Sequence, residues 1–141
     1  MLALSRKYDF SATHRLYNPA FADEKNWEIF QLCNNPNGHG HNYELDVMVT
    51  GELDPETGML VDLVALDTLV QSVLITRLDH KNLNLDVDFL KDAIPTAEVI
   101  VYACWQQLAP ALKRQFPHAR LQKLRLLETK KNFAEYSEEN A

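Results

Sequence analysis

Two stretches of the chain alternate apolar and polar positions with a period of two, and two others repeat apolar positions at helical spacing. In residues 3–14, Leu4, Tyr8, Phe10 and Ala12 share one parity, which His14 continues and Arg6 breaks. In residues 42–52 the alternation is cleaner: Tyr43, Leu45, Val47 and Val49 point one way, Glu44, Asp46 and Thr50 the other. Alternate side chains of a strand lie on one face, so both stretches predict strands with one buried side. His39 and His41 carry the apolar parity of the second strand. If extended backbone reaches back through them, both imidazoles face inward, as does His14 at the end of the first strand.

Residues 15–38 form a long insertion between these strands, with a short helix expected around Asp23 to Gln31. Asp54-Pro-Glu-Thr-Gly58 reads as a turn, because proline presets one dihedral and glycine accepts a positive one. Asp62 can cap a helix whose apolar positions are Leu63, Leu66, Leu69, Val70, Val73 and Leu74. Thr96 can cap a second, after Pro95 and with Glu98 near its positive end; its stripe is Val101, Trp105, Leu108 and Leu112. Pro110 is expected to bend or interrupt that helix. A third strand follows at about 120–128 and a fourth at 132–137. The order β-β-α-α-β-β predicts an α+β fold, a four-stranded antiparallel sheet with two helices on one face. With no repeat or linker, residues 1–141 are expected to be one domain. The sheet edges such a fold leaves open suggest oligomerisation through them.

The formal charge of −6 argues against nucleic acid or an anionic membrane as a main partner. No run approaches the ~18 apolar residues of a transmembrane helix, and the first residues lack the apolar core of a signal peptide. Two cysteines, Cys33 and Cys104, are too few for a disulfide scaffold. A reduced, cytoplasmic protein is the expectation.

Candidate chemistry concentrates in Cys33-Asn-Asn-Pro-Asn-Gly-His39-Gly40-His41-Asn42-Tyr43. Two histidines on one side of an extended segment can share one ion, with Gly40 keeping the backbone uncrowded. Three protein ligands and an open position is the catalytic zinc arrangement, and His14 is the third candidate. Cys33, in a loop-like run, is either a nucleophile or base, or a fourth ligand closing a structural site. Asp79-His80 is either a polar helix end or an imidazole oriented by a carboxylate and able to activate a thiol. Glu128 shares the parity of Leu124 and Leu126; it is a solvated strand end or a carboxylate awaiting a ligand with N–H donors. Cys104, Trp27 and Trp105 read as packing residues, and His118 as part of a surface connection.

Five segments together resemble the 6-pyruvoyltetrahydropterin synthase and 6-carboxytetrahydropterin synthase family over nearly the whole chain. They are Phe10-Ser-Ala-Thr-His14, Cys33 to Tyr43, Leu78-Asp-His-Lys-Asn-Leu83, Pro95-Thr-Ala-Glu98 and Leu127-Glu-Thr129. The resemblance implies the tunnelling fold, in which subunits trimerise through sheet edges into a barrel and two trimers stack into a homohexamer. It implies one zinc ion per subunit on His14, His39 and His41, with Cys33 as the proton-abstracting base assisted by Asp79 and His80. Glu128 would anchor a pterin, with Thr96 and Glu98 also at the substrate. The implied activity is that of a phosphate-eliminating carbon–oxygen lyase. It would convert 7,8-dihydroneopterin triphosphate to 6-pyruvoyltetrahydropterin and triphosphate, for which Mg2+ is a possible companion ion. Arg15, Lys81 and Lys130 are candidate triphosphate contacts. Val99, where the pyruvoyl enzymes often carry Asn, looks instead like the carboxy enzymes of queuosine biosynthesis. The five residues between Cys33 and His39 match the pyruvoyl enzymes. A zinc-stabilised binding oligomer without turnover is the third alternative.

Overall fold

The computed structural model describes residues 1–138. Strands β1 (Ala3–His14) and β2 (His39–Gly51) pair antiparallel along their whole length, from Ala3 opposite Thr50 to His14 opposite His39. Strand β4 (Ala119–Leu127) runs antiparallel to β2, and β5 (Phe133–Tyr136) antiparallel to β4. The expected four-stranded sheet gains a fifth member: β3 (Lys81–Asn82) lies parallel to β1 at Ala12 and Thr13, giving the order β3-β1-β2-β4-β5. Two residues are too few for periodicity to register.

Alternation sorts the sheet as the pattern requires. Tyr8, Phe10, Ala12 and His14 of β1, Tyr43, Leu45, Val47 and Val49 of β2, and Leu121, Leu124 and Leu126 of β4 are buried. Leu121 and Leu124 are three residues apart, yet both face the core. The register shift opposite Met48 and Val49 leaves Gln122 without a partner, so a β-bulge absorbs the odd residue.

The helical layer covers this face. Helix α1 (Asp23–Phe30) lies in the insertion, and α2 (Leu63–Val70) continues through a π-helical turn (Gln71–Ile75) into α3 (Thr76–Leu78). Helix α4 (Ala97–Gln115) is the longest. The caps are those expected: Asp62 accepts from the Val64 N–H and Thr96 from the Val99 N–H. Leu66, Val70, Leu74 and Leu78 pack with Ile100, Cys104, Trp105, Leu108 and Leu112 into one core with the sheet. Pro110 lies inside α4, which runs uninterrupted from Ala97 to Gln115. Pro110 and Gln106 are both exposed, so the carbonyl that loses its N–H partner can turn to water. Arg6, the break in the β1 pattern, is met from the helical layer: Asp67 of α2 takes its Nε at 3.1 Å and Nη2 at 3.0 Å, and the Tyr8 hydroxyl at 2.7 Å. Trp105 is buried as expected, whereas Trp27 is about half exposed (48 %) and is not a packing residue of this chain. Among the described residues no helix is long and apolar enough to cross a membrane.

Gly51 closes β2 where the chain passes β4 most tightly. A Cβ there would stand 2.4 Å from the His118 carbonyl oxygen and 2.8 Å from the Ala119 Cα, both backbone. Gly58, by contrast, has open space around it and closes the expected Asp54 turn with an N–H donated to the Asp54 carbonyl at 2.7 Å. Gly51→Ala should therefore lower stability by about 1–3 kcal/mol, the range for forced overpacking. It should appear as a lower urea midpoint with unchanged slope; an unchanged midpoint would mean that the two backbones are not in such contact.

Candidate functional site

Strand pairing by itself gathers three imidazoles. His39 and His41 sit two apart at the start of β2, and the β1–β2 register sets His14 directly opposite His39. The ring centroids are 4.6, 5.1 and 4.9 Å apart for the pairs 14–39, 14–41 and 39–41. One ligand nitrogen from each lies within 4.8 Å of the others. His14 Nδ1 is 2.8 Å from the Pro95 carbonyl oxygen, which can only accept, so Nδ1 carries the proton and Nε2 a free lone pair. That Nε2 lies 3.1 Å from His39 Nε2. His39 Nδ1 and His41 Nε2 are buried without a hydrogen-bond partner. Lone pairs converging in a buried place fit a cation better than they fit one another. The Pro95 contact is the kind of outer support that fixes a ligand's tautomer.

Electrostatics agree. Burial pushes His14 below the ordinary histidine range, against the raising effect of the Pro95 carbonyl; burial and then the neighbouring His41 push His39 down. Neutral imidazole is the form that binds metal. Glu128, in the turn after β4, places Oε1 3.7 Å from His41 Nε2 and supplies negative charge at the rim. Tyr43 stacks on Phe10 at 4.9 Å and brings its hydroxyl to 3.5 Å from His14 Nδ1; burial and then Glu128 push its pKa up, which keeps it protonated. Three histidines are thus positioned to hold a metal ion. The glycine that the geometry requires is Gly38 rather than Gly40. Gly38 has φ +74° and a Cβ would stand 3.1 Å from the His14 carbonyl oxygen, whereas at Gly40 the nearest atom is at 3.5 Å.

The family description for 6-pyruvoyl tetrahydropterin synthase matches residues 3–139. The chain belongs to this family. It is 42% identical over 136 residues to the human 6-pyruvoyl tetrahydrobiopterin synthase, covering 96% of this chain and 91% of the relative. It is 38% identical over 133 residues to the Drosophila melanogaster protein of that name, covering 94% of this chain and 77% of the other. The solved structure of Caenorhabditis elegans 6-pyruvoyl tetrahydropterin synthase superposes with a TM-score of 0.85 at 36% identity, covering 98% of this chain and 96% of that one.

Of the other residues that the family resemblance singled out, Asp79 and His80 are joined. The carboxylate is 3.0 Å from His80 Nδ1 and accepts the Ser11 N–H at 2.9 Å, which holds it below the usual carboxylate range. His80 itself has φ +61°, and its N–H donates to the Ser11 carbonyl at 2.6 Å. A non-glycine residue held in the left-handed region costs energy, and functional groups are often held so. Cys33 is half-buried in the helical turn Gln31–Asn34, its carbonyl accepting the Leu16 N–H at 2.8 Å. Among the described residues no hydrogen bond joins Cys33 to His80. The Thr96 hydroxyl serves as the α4 cap, and Glu98 is exposed in the first turn of α4. Cys104 is fully buried, with its thiol pushed up to about 12. His118 Nε2 donates to the Leu60 carbonyl at 2.7 Å and so ties a connection to the fold. Sequence reasoning missed Tyr43 and the Pro95 carbonyl as part of the site. The parity that Tyr43 shares with His39 and His41 was a usable signal; a backbone carbonyl leaves none.

His39→Ala should abolish stoichiometric metal binding, measured by elemental analysis after dialysis, while the fold survives; an unchanged metal content would refute the ligand set. The metal-free protein should also show a pH dependence. With their folded pKa values lowered, His14 and His39 stay neutral where the unfolded chain protonates. Their contribution is therefore whole above the unfolded value of about 6.5 and is lost as pH falls below it. The urea midpoint of stripped protein should fall between pH 7.5 and 5.5 (roughly one unit either side of that value), and by less in His39→Ala; equal curves would dismiss the assignment.

Proposed function

We propose that the chain, acting as one domain, converts 7,8-dihydroneopterin triphosphate to 6-pyruvoyltetrahydropterin with release of triphosphate. The observation that carries this reading is the convergence of His14, His39 and His41 beside Glu128, in a chain 42% identical to a relative named for that synthesis. The proposed ion is zinc, which His14, His39 and His41 would hold. Bound there, it would supply Lewis acidity that favours negative charge on the substrate side-chain oxygens and so acidifies the adjacent C–H.

The chain's own residues have distinct tasks in this reading. Cys33, as thiolate, takes a proton from that carbon and returns one during the internal redox step; triphosphate then leaves by elimination. His80, turned by Asp79, is the group able to receive or return the proton that Cys33 exchanges. Assembly or bound substrate must bring the two together, since one subunit does not hydrogen-bond them. Glu128 accepts N–H donors of the pterin ring, as a carboxylate at the rim of a buried site is suited to do. Thr96 and Glu98 are proposed to border the substrate, and Mg2+ to accompany the triphosphate. The long open backbone of β1 beside the short β3 is consistent with the homohexamer implied by the resemblance. A cytoplasmic location completes the reading.

Val99 favours a second product, 6-carboxytetrahydropterin of the queuosine route. Its N–H is taken by the Thr96 cap and its side chain is half-buried. Mass spectrometry of products from zinc-loaded wild type and Cys33→Ala, given 7,8-dihydroneopterin triphosphate, decides. The expected result is a 6-pyruvoyl product from wild type and a turnover lower by roughly 10²–10⁴ in the variant, the range for a lost general base, with zinc retained. A 6-carboxy product would transfer the chain to the second reading. Zinc lost from Cys33→Ala would place Cys33 in a closed structural site, and no consumption by zinc-loaded wild type would leave a binding oligomer.

A further inference from the structure

Arg15 follows the metal-site residue His14, and its guanidinium is already engaged. Nε donates to the Asn34 backbone carbonyl at 2.8 Å and Nη2 to the Asn34 side-chain oxygen at 3.1 Å. The planar fork thus grips both oxygens of one residue, and that residue is the neighbour of Cys33. Asn34 is only 2% exposed, so water does not compete for these bonds. The next residue repeats the contact one step along, the Leu16 N–H donating to the Cys33 carbonyl. Beneath the guanidinium, the Tyr17 ring lies 4.2 Å from its carbon.

The main chain of Arg15 is held from the other side. Its N–H donates to Asn84 Oδ1 at 2.8 Å, and Asn84 Nδ2 donates to its carbonyl at 2.9 Å. Asn84 lies on the segment that follows Asp79, His80 and β3, and its own N–H is fixed by Asn82 Oδ1 at 2.9 Å. One residue therefore stands between the strand end bearing His14, the turn bearing Cys33 and the segment bearing His80.

We infer that Arg15 is a positioning residue for Cys33, setting the place of its sulfur through Asn34, and is not a ligand of the substrate triphosphate. Lysine cannot replace it, because a single ammonium does not reproduce a planar two-pronged grip. The inference rests on Cys33 being the base, and a misplacement of about 1 Å in such a group can cost a hundredfold in rate.

The test compares Arg15→Lys and Asn34→Ala with wild type and Cys33→Ala, all zinc-loaded, by steady-state kinetics and by iodoacetamide alkylation of Cys33. Cys104 is the unreactive internal reference. Both positioning variants should lower kcat by roughly 10- to 100-fold, with KM for 7,8-dihydroneopterin triphosphate within about threefold of wild type and zinc unchanged. The rate of Cys33 alkylation should change severalfold in each. Asn34→Asp, which keeps the accepting oxygen, should recover most of kcat. A raised KM in Arg15→Lys with kcat and alkylation preserved would make Arg15 a phosphate contact and overturn the inference. If Arg15→Lys does not fold, Asn34→Ala alone decides, since it removes one prong's acceptor without touching the arginine. Turnover surviving in Cys33→Ala would instead sink the base assignment, with the alkylation rates still reporting whether Arg15 places the thiol.

Discussion

The antiparallel register of β1 on β2 governs the rest of the molecule. It holds over twelve successive pairs, ends with His14 opposite His39, and so makes the three-histidine cluster a product of strand pairing. No loop has to find its way to the centre. A one-residue slip would turn every side chain of one strand to the other face, sending Tyr8, Phe10 and Ala12 to solvent along with His14. The hydrophobic core and the candidate ligand set are fixed by the same pairing.

Around that pairing, burial does chemical work as well as structural work. Burial pushes His14 and His39 below the ordinary histidine range and pushes the Tyr43 hydroxyl up. Glu128 stands at the edge of the cluster, beside His41. The two cysteines divide likewise: Cys104 is sealed among apolar neighbours, whereas Cys33 sits half-buried on a turn held by its carbonyl and by its neighbour.

Much of this was legible in the sequence because it depends on local rules. Strand alternation, the Asp62 and Thr96 caps and the Asp54 turn each follow from side chains acting on nearby backbone. The three histidines were legible because parity carries a residue's facing from one end of a strand to the other. What escaped depends on partners distant in the chain. Strand β3 has only two residues, the carbonyl of Pro95 has no side-chain signature, and Arg6 could be read only as an exception until Asp67 supplied its partner. The engagement of Arg15, a triphosphate candidate, with Asn34, nineteen residues on, has no periodic trace. Pro110 leaves α4 uninterrupted because exposure of Gln106 lets the freed carbonyl meet water.

The bulge at Gln122 gives the sheet a reading frame. Counted from the core outward, Ala119 and Leu121 belong to one phase of β4, and Leu124, Leu126 and the following Glu128 to the other. One unpaired residue reconciles them. Without it, β4 could keep its first half in step with β2 only by turning Glu128 away from His41, or its second half only by exposing Leu121. The irregularity at Gln122 is thus a phase marker for the edge of the three-histidine cluster. The carboxylate at the rim keeps its facing because the sheet skips one count.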